Sequence, residues 1–338
     1  MSANMKTSIP PSHEHPFAQY VRILGKGKKG SRSLTEEEAF DAMNMIMADQ
    51  VEDVQLGAFL MLLRVKEESP EELLGFVRSV RQFIKPERPI AVDLDWSSYA
   101  GKRRHLPWYL FSIFLLAESG QRLFIHGASG HTIDRIYTED VLNELGLGVA
   151  KNWAQCAQQM DQQGFSYFPL AHLCPKLHRI IELRNVMGLR SPVHTLSRLL
   201  NPCDAGAVIQ GIFHPGYRPV HQLAAQALGY DKVDVIKGEA GEIERNPDAD
   251  TLVQSVRGVE LIDETWPALF SKRHMKESEL ELPELIAVWR GEKCHEYGEA
   301  AVTGTTAIAL KLLGKAETQA EAETMAQDLW AERNKSFI

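Results

Sequence analysis

Apolar residues recur at helical spacing through the first eighty residues, then give way to short apolar runs divided by polar turns. Thr35 followed by Glu38 spells a capping box, in which hydroxyl and carboxylate satisfy backbone N–H groups at a helix start. Behind it Ala39, Met43, Ile46 and Met47 recur at helical spacing, and Leu56, Leu60 and Leu63 form a second stripe. Ser69-Pro70-Glu71-Glu72 supplies an N-cap, a proline at the first helical position and a negative first turn, predicting a third helix through Phe83. Pro86 and Pro89 close this segment. From Ile90 the character changes. Residues 90–94 read as a strand, 108–119 as an apolar helix ending at Gly120, and 122–125 as a second strand running into His126-Gly127. A helix near 138–145 stops at Gly146. Further on, 207–213 reads as a buried strand, 220–228 as a helix stopped by Gly229, and 233–236 as a strand entering Lys237-Gly238-Glu239. Strands alternating with helices of this length predict βαβ units and a mostly parallel sheet. Residues 175–200 are a basic, helical excursion without strand signal. The expected organisation is a loose tail over 1–16, a helical N-terminal domain over 17–88 and an α/β domain over 89–338.

Composition narrows the class. The 338 residues are 44% hydrophobic and 24% charged, with a formal net charge of -8, which excludes wholesale disorder, a collagen-like fibre and a small disulfide scaffold. The longest apolar run, 110–117, is far short of a bilayer span, and residues 1–16 lack the apolar core of a secretory signal. Cys156, Cys174, Cys203 and Cys294 stand singly, suggesting neither a zinc site nor a disulfide framework. A cytoplasmic protein without a membrane partner is expected. Net acidity does not exclude a local basic groove.

Ligands of open α/β sheets bind at loops after the carboxyl ends of strands. The first such loop holds Tyr99, Gly101, Lys102, Arg103, Arg104 and His105. Three adjacent cations with an interleaved ring suit a phosphate backbone and a stacked base, although a solvated basic loop has the same composition. The 175–200 excursion adds Lys176, Arg179, Arg184, Arg190, His194 and Arg198, which do not share one helical face. Lys26, Lys28 and Lys29 lie in a glycine-rich basic stretch. Glu239, Glu242 and Glu244 after the 233–236 strand suit either Mg²⁺ or a solvated acidic turn. Walker A, G-x-S-x-G and H-E-x-x-H sequences are absent.

Several stretches resemble anthranilate phosphoribosyltransferase and its relatives in glycosyltransferase family 3. Residues 187–202, MGLRSPVHTLSRLLNP, are similar to that family's LGIRTxFNxLGPLxNP segment. His126-Gly127 sits where the family has KHGNR, and Val235-Ile236-Lys237-Gly238-Glu239 resembles its VVHGxxGxDE segment. Gln55-Leu56-Gly57-Ala58-Phe59-Leu60 resembles the Q-x-GAFL of its helical domain. The resemblance runs from about Phe17 onward. It implies an N-terminal helical domain, a central mostly parallel sheet, and an excursion at 175–200 that returns to the helical domain beside the cleft.

The departures fall on the chemistry. The family's GTGGD phosphate loop is replaced around 97–103, where Gly101 alone remains. Its Asp-Glu metal pair becomes Ile243-Glu244, so one carboxylate is absent. The resemblance leaves a vestigial phosphosugar site of Gly101, His126, Gly127, Arg184 and Glu239, with Glu244 a weak metal ligand. Arg184 matches the arginine that binds the anthranilate carboxylate. This combination resembles the anthranilate phosphoribosyltransferase-like branch, whose members are homodimers that bind nucleic acid. The reading favours sequence-independent DNA or RNA binding by a homodimer without a cofactor. In it Lys102, Arg103, Arg104, Arg184, Arg190, Arg198, Lys26, Lys28 and Lys29 meet phosphates and Tyr99 stacks on a base. The alternatives are a Mg-dependent phosphoribosyltransferase using phosphoribosyl pyrophosphate (PRPP) and a protein-binding scaffold. A stripe exposing Met43, Met47, Leu60 or Leu63 is expected to form the dimer surface.

Overall fold

A computed structural model describes residues 14–27, 29–275 and 280–338. Most of the 1–16 tail, Lys28 and the side chain of Glu239 lie outside the described residues. The N-terminal region contains α1 (Ala18–Gly25), α2 (Glu36–Met47), α3 (Asp53–Lys66) and α4 (Pro70–Arg81). A reciprocal capping box starts α2 at Thr35 and Glu38, as its spacing predicts, and the predicted Ser69 N-cap of α4 forms a second one with Glu72. Glu72 also accepts the backbone N–H of Leu34 and pairs with Lys66, tying three helices at one corner. Met43, Met47, Leu60 and Leu63 are buried in the chain's own core. The expectation that they form an exposed stripe is therefore corrected: α2 packs on α4 and α3 on α1, and all four side chains lie inside the one core these helices share.

The sheet has seven strands: β1 (Leu94–Ser98), β2 (Leu123–Gly127), β3 (Phe165–Pro169), β4 (Ala207–Ile212), β5 (Lys232–Lys237), β6 (Thr251–Arg257) and β7 (Glu260–Trp266). Their spatial order is β3-β2-β1-β4-β5-β6-β7. β1 through β5 run parallel, and β6 and β7 add an antiparallel edge. The fold is thus a helical N-terminal domain plus an α/β domain with a mostly parallel sheet.

The first strand begins at Leu94 rather than spanning 90–94. Residues 94–98 are those flanked by β2 and, over their first part, by β4, whereas Ile90 and Val92 pack against the core before the ladder begins. Its polar residues Asp95, Ser97 and Ser98 are all buried, so hydropathy hid the strand. Helices Tyr109–Glu118 and Glu296–Leu312 pack together beside one face, and Tyr217–Ala227 links β5 and β6 to α4. The 175–200 excursion is broken into Pro175–Glu182, Arg184–Met187, Val193–Leu196 and a 3-10 turn at Ser197–Leu199. It touches the helical domain: Lys176 Nζ donates to the Met47 carbonyl at 2.8 Å and Arg179 lies 3.3 Å from Asp53. Among the described residues no helix is long and apolar enough to cross a membrane.

Candidate anion site

The loop after β1 folds inward. Tyr99 is buried, and its hydroxyl donates to His126 Nδ1 at 2.7 Å. His126 Nε2–H in turn donates to Asp95 at 3.2 Å, so β1 and β2 anchor the ring through a buried polar chain. The Arg198 guanidinium lies 5.7 Å from the Tyr99 ring centroid. Burial pushes the Tyr99 pKa well above its usual value. The expectation that Tyr99 stacks on a base is corrected, because the protein already covers both its ring and its hydroxyl.

Lys102 is equally unavailable to phosphate. It is fully buried and pairs with Glu244, itself fully buried, whose other oxygen accepts the Tyr109 N–H at 2.9 Å. Backbone bonds of 2.8 Å in both directions join Lys102 to Ile136 and hold the lysine in place. Burying either charge alone would be costly, so each fixes the other.

Between them lies a filled anion cradle. The backbone N–H groups of Ala100 and Gly101 both donate to Glu242 Oε1 at 2.6 Å, and Ser98 Oγ donates to Oε2 at 2.9 Å. Gly101 has φ +67°, and a Cβ there would meet the Tyr137 ring at 2.9 Å, so only glycine turns this N–H inward. Successive N–H groups so arranged suit an anion. Here the anion is the chain's own carboxylate. At the neighbouring strand end, a Cβ on Gly127 would fall 1.9 Å from the Ser98 carbonyl, which explains that glycine by packing.

A second group of cations has no such partner. Arg135 donates to the carbonyls of Ala100 and Gly101 at 2.7 and 3.1 Å. Arg184 donates to the His131 carbonyl and Thr132 Oγ1, and Arg190 to the same hydroxyl at 3.3 Å. Arg198 donates to the carbonyls of Gly211 at 2.9 Å and of His194. Every one of these acceptors is neutral, and among the described residues no carboxylate forms an ion pair with the four guanidinium groups, although the Glu242 carboxylate acts on Arg198 through space. Burial, then Arg135, Arg184 and Arg198, lower the Arg190 pKa to about 10. Burial and Arg190 bring His131 down to about 4, against the bond that its Nε2–H donates to the Tyr99 carbonyl at 2.9 Å.

The structure thus gathers Arg184, Arg190 and Arg198 and adds Arg135, His131 and Thr132. Sequence spacing did not single out Arg135; its signal is a position just past the loop that follows β2. Arg103 and Arg104 are exposed on the turn after Lys102, and Lys26 and Lys29 are exposed beyond α1.

Residues 19–84 match the model of the glycosyl transferase family helical bundle domain. The chain is 26% identical over 293 residues to the uncharacterized protein YbiB of Escherichia coli, covering 82% of this chain and 87% of that one. It is 29% identical over 241 residues to anthranilate phosphoribosyltransferase of Ignicoccus hospitalis, covering 69% of each. Its fold matches that of anthranilate phosphoribosyltransferase from Saccharomyces cerevisiae, solved in complex with PRPP and Mg, with a TM-score of 0.78 at 16% identity over 96% of this chain and 95% of that one. The chain is similar to anthranilate phosphoribosyltransferases in sequence and shares their fold.

The anthranilate phosphoribosyltransferase-like fold raises the question of Mg²⁺, and the residues present do not fit it. Ile243 is buried and apolar, Glu244 is neutralised by Lys102, and Glu242 is spent on the Ala100 and Gly101 amides. Among the described residues no group of three His, Cys, Asp or Glu is placed to hold a metal. The expectation of Glu244 as a metal ligand is corrected on the same ground.

Proposed function

We propose that this anthranilate phosphoribosyltransferase-like chain binds nucleic acid without base-sequence preference, its phosphates meeting the arginine cluster around Thr132. The observation that carries this reading is the convergence of Arg135, Arg184, Arg190 and Arg198 on neutral acceptors. Like charges held together raise the energy of the free protein, and a phosphodiester lowers it by taking the donors the carbonyls share. Phosphate contacts of this kind carry affinity without sequence information. Lys102 and Tyr99 have no part in it. We propose a homodimer as the acting unit, joined through the helical domain, where Val54 and Val65 are 79% and 83% exposed on α3. Light scattering tests this: a mass that stays monomeric at all concentrations removes it.

The test of binding is fluorescence anisotropy with unrelated oligonucleotides over a range of salt. Arg184→Ala with Arg190→Ala is expected to weaken all sequences by similar factors. The log–log salt slope should fall by roughly 0.7–0.9 for each phosphate no longer neutralised. An unchanged slope would remove the cluster from the interface.

The shared fold with a protein solved bound to PRPP and Mg favours a second reading, phosphoribosyl transfer. Glu242 on the cradle amides opposes it, because a pyrophosphate and a carboxylate compete for the same donors. Turnover of anthranilate with PRPP and Mg²⁺ on the order of 1 s⁻¹ decides for transfer.

A further inference from the structure

Beside the arginines, a cavity of about 110 Å³ opens between the helical domain and the carboxyl end of β4. Glu68, Ser191, His194, Arg198, Phe213 and Tyr217 are among its walls. Ser191 and His194 are only 5% and 7% exposed, yet Ser191 Oγ and His194 Nε2 have no hydrogen-bond partner, whereas the buried Glu68 carboxyl faces the Tyr217 hydroxyl. Buried polar atoms are rarely left unpaired in native proteins, and two in the wall of one cavity point to a polar occupant.

Their chemistry defines what fits. His194 Nδ1 lies 3.2 Å from the Ser191 carbonyl, so that nitrogen carries the proton and Nε2 offers a lone pair. Burial, followed by the charges of His131, Arg190 and Arg198, keeps this imidazole neutral. Burial also raises the Glu68 pKa, against the Tyr217 hydroxyl and the Arg64 charge that lower it. Arg198 adds donors and the Ser191 hydroxyl serves either way. Phe213, 52% exposed, gives the rim an apolar face. Donors and acceptors together with an aromatic face match a planar heterocycle that carries both kinds of group on its edge. Arg190 and Arg198 belong both to the cavity and to the cationic cluster, so a phosphate held there delivers its attached group to this opening.

We propose that this cavity receives one unpaired nucleobase of the bound strand. The proposal rests on the nucleic-acid reading above and deepens it. A base engaged in a duplex keeps its edge occupied and cannot enter without being flipped out, so single strands bind in preference to duplexes.

The experiment measures anisotropy on the full chain at one fixed salt concentration, with a short single-stranded oligonucleotide, its duplex and an abasic strand of equal length. The abasic strand keeps every phosphate and removes every base. The base-bearing strand is expected to bind about tenfold tighter than the abasic one, within the range for a single stacked base. Phe213→Ala, at a half-exposed position, should close that gap without altering abasic affinity or its salt slope, and His194→Ala should do the same. Equal binding of base-bearing and abasic strands overturns the nucleobase pocket while leaving the arginine cluster intact. Failure of every strand to bind is a different result, which removes the nucleic-acid reading and the pocket with it.

Discussion

The peptide pair Ala100-Gly101 faces two regions that handle charge in opposite ways. Its N–H groups point to Glu242 and its carbonyls to Arg135. On the first side each anion meets its own donors within the chain: Glu242 takes two amides and a hydroxyl, and Glu244 takes Lys102 and the Tyr109 amide. On the second, four arginines and a depressed histidine share carbonyls and one threonine. The first region is electrostatically closed and the second is open. Charge count alone does not separate them, since Lys102 and Arg184 are both cations beside strand-end loops. What separates them is whether the chain supplies the counter-charge.

The closed side is expected to respond to mutation through stability. Lys102→Ala removes the lysine charge that pairs with the buried Glu244 carboxylate, and breaking a buried pair from one end costs about 3–5 kcal/mol. Urea unfolding should show this destabilisation. A variant that folds as well as the parent but no longer shows salt-dependent binding would reverse the comparison, placing Lys102 on the ligand instead.

His131 gives the open side a pH signature. Its folded pKa of about 4 lies below the ordinary value near 6.5, so the unfolded chain binds the proton more readily. The associated stability is fully present above about pH 6.5 and is lost as the pH falls toward 4, amounting to about 3 kcal/mol. The urea midpoint of the parent should fall through this window, and His131→Gln should flatten it. Bound oligonucleotide should flatten it too, because an anion beside the arginines removes part of the repulsion that keeps the ring neutral. A midpoint that ignores ligand across this range would separate His131 from the cluster.

Glu242→Ala empties the cradle. Each amide left unsatisfied costs about 1–3 kcal/mol, less what water recovers. Inorganic phosphate or pyrophosphate should then restore thermal stability in the variant and leave the parent unchanged, since the parent's donors are taken. Equal response in both proteins would mean that the carboxylate does not block the site.

The architecture was legible where the physics is local. The α2 capping box, the α4 N-cap at Ser69, the stripes of α2 and α3, and the strands at β2, β4 and β5 follow from spacing within a few residues. β1 was displaced because its buried polar side chains serve the site rather than an apolar face. The edge strand β7 was missed because Glu260, Asp263 and Glu264 give it the look of a loop. The site was harder still. Arg184, Arg190 and Arg198 could be named from the chain, but their meeting with Arg135 depends on β2, the excursion and β4 converging in space. Nothing local separates Lys102, which points inward to Glu244, from Arg103, which faces solvent. That difference is set by a carboxylate 142 residues away.

Arg103 and Arg104 therefore offer the gentlest test. Both are exposed on a turn, so replacing them together with alanine should leave stability within about 0.5 kcal/mol. Their effect on binding depends on reach. A strand anchored at the cluster that also passes over the turn after Lys102 would leave one or two outer phosphates unneutralised in the variant, lowering the salt slope by roughly 0.7–0.9 apiece. Such phosphates are solvated and screened, so the affinity change should be smaller than that of Arg184→Ala with Arg190→Ala. Titrating strands of increasing length sharpens the point. If the turn lies on the path, the variant should match the parent on the shortest strands and fall behind as length grows. If it trails at every length by one constant factor, these arginines meet the same phosphates as the cluster, and the boundary between the closed and open regions has to be redrawn to include them.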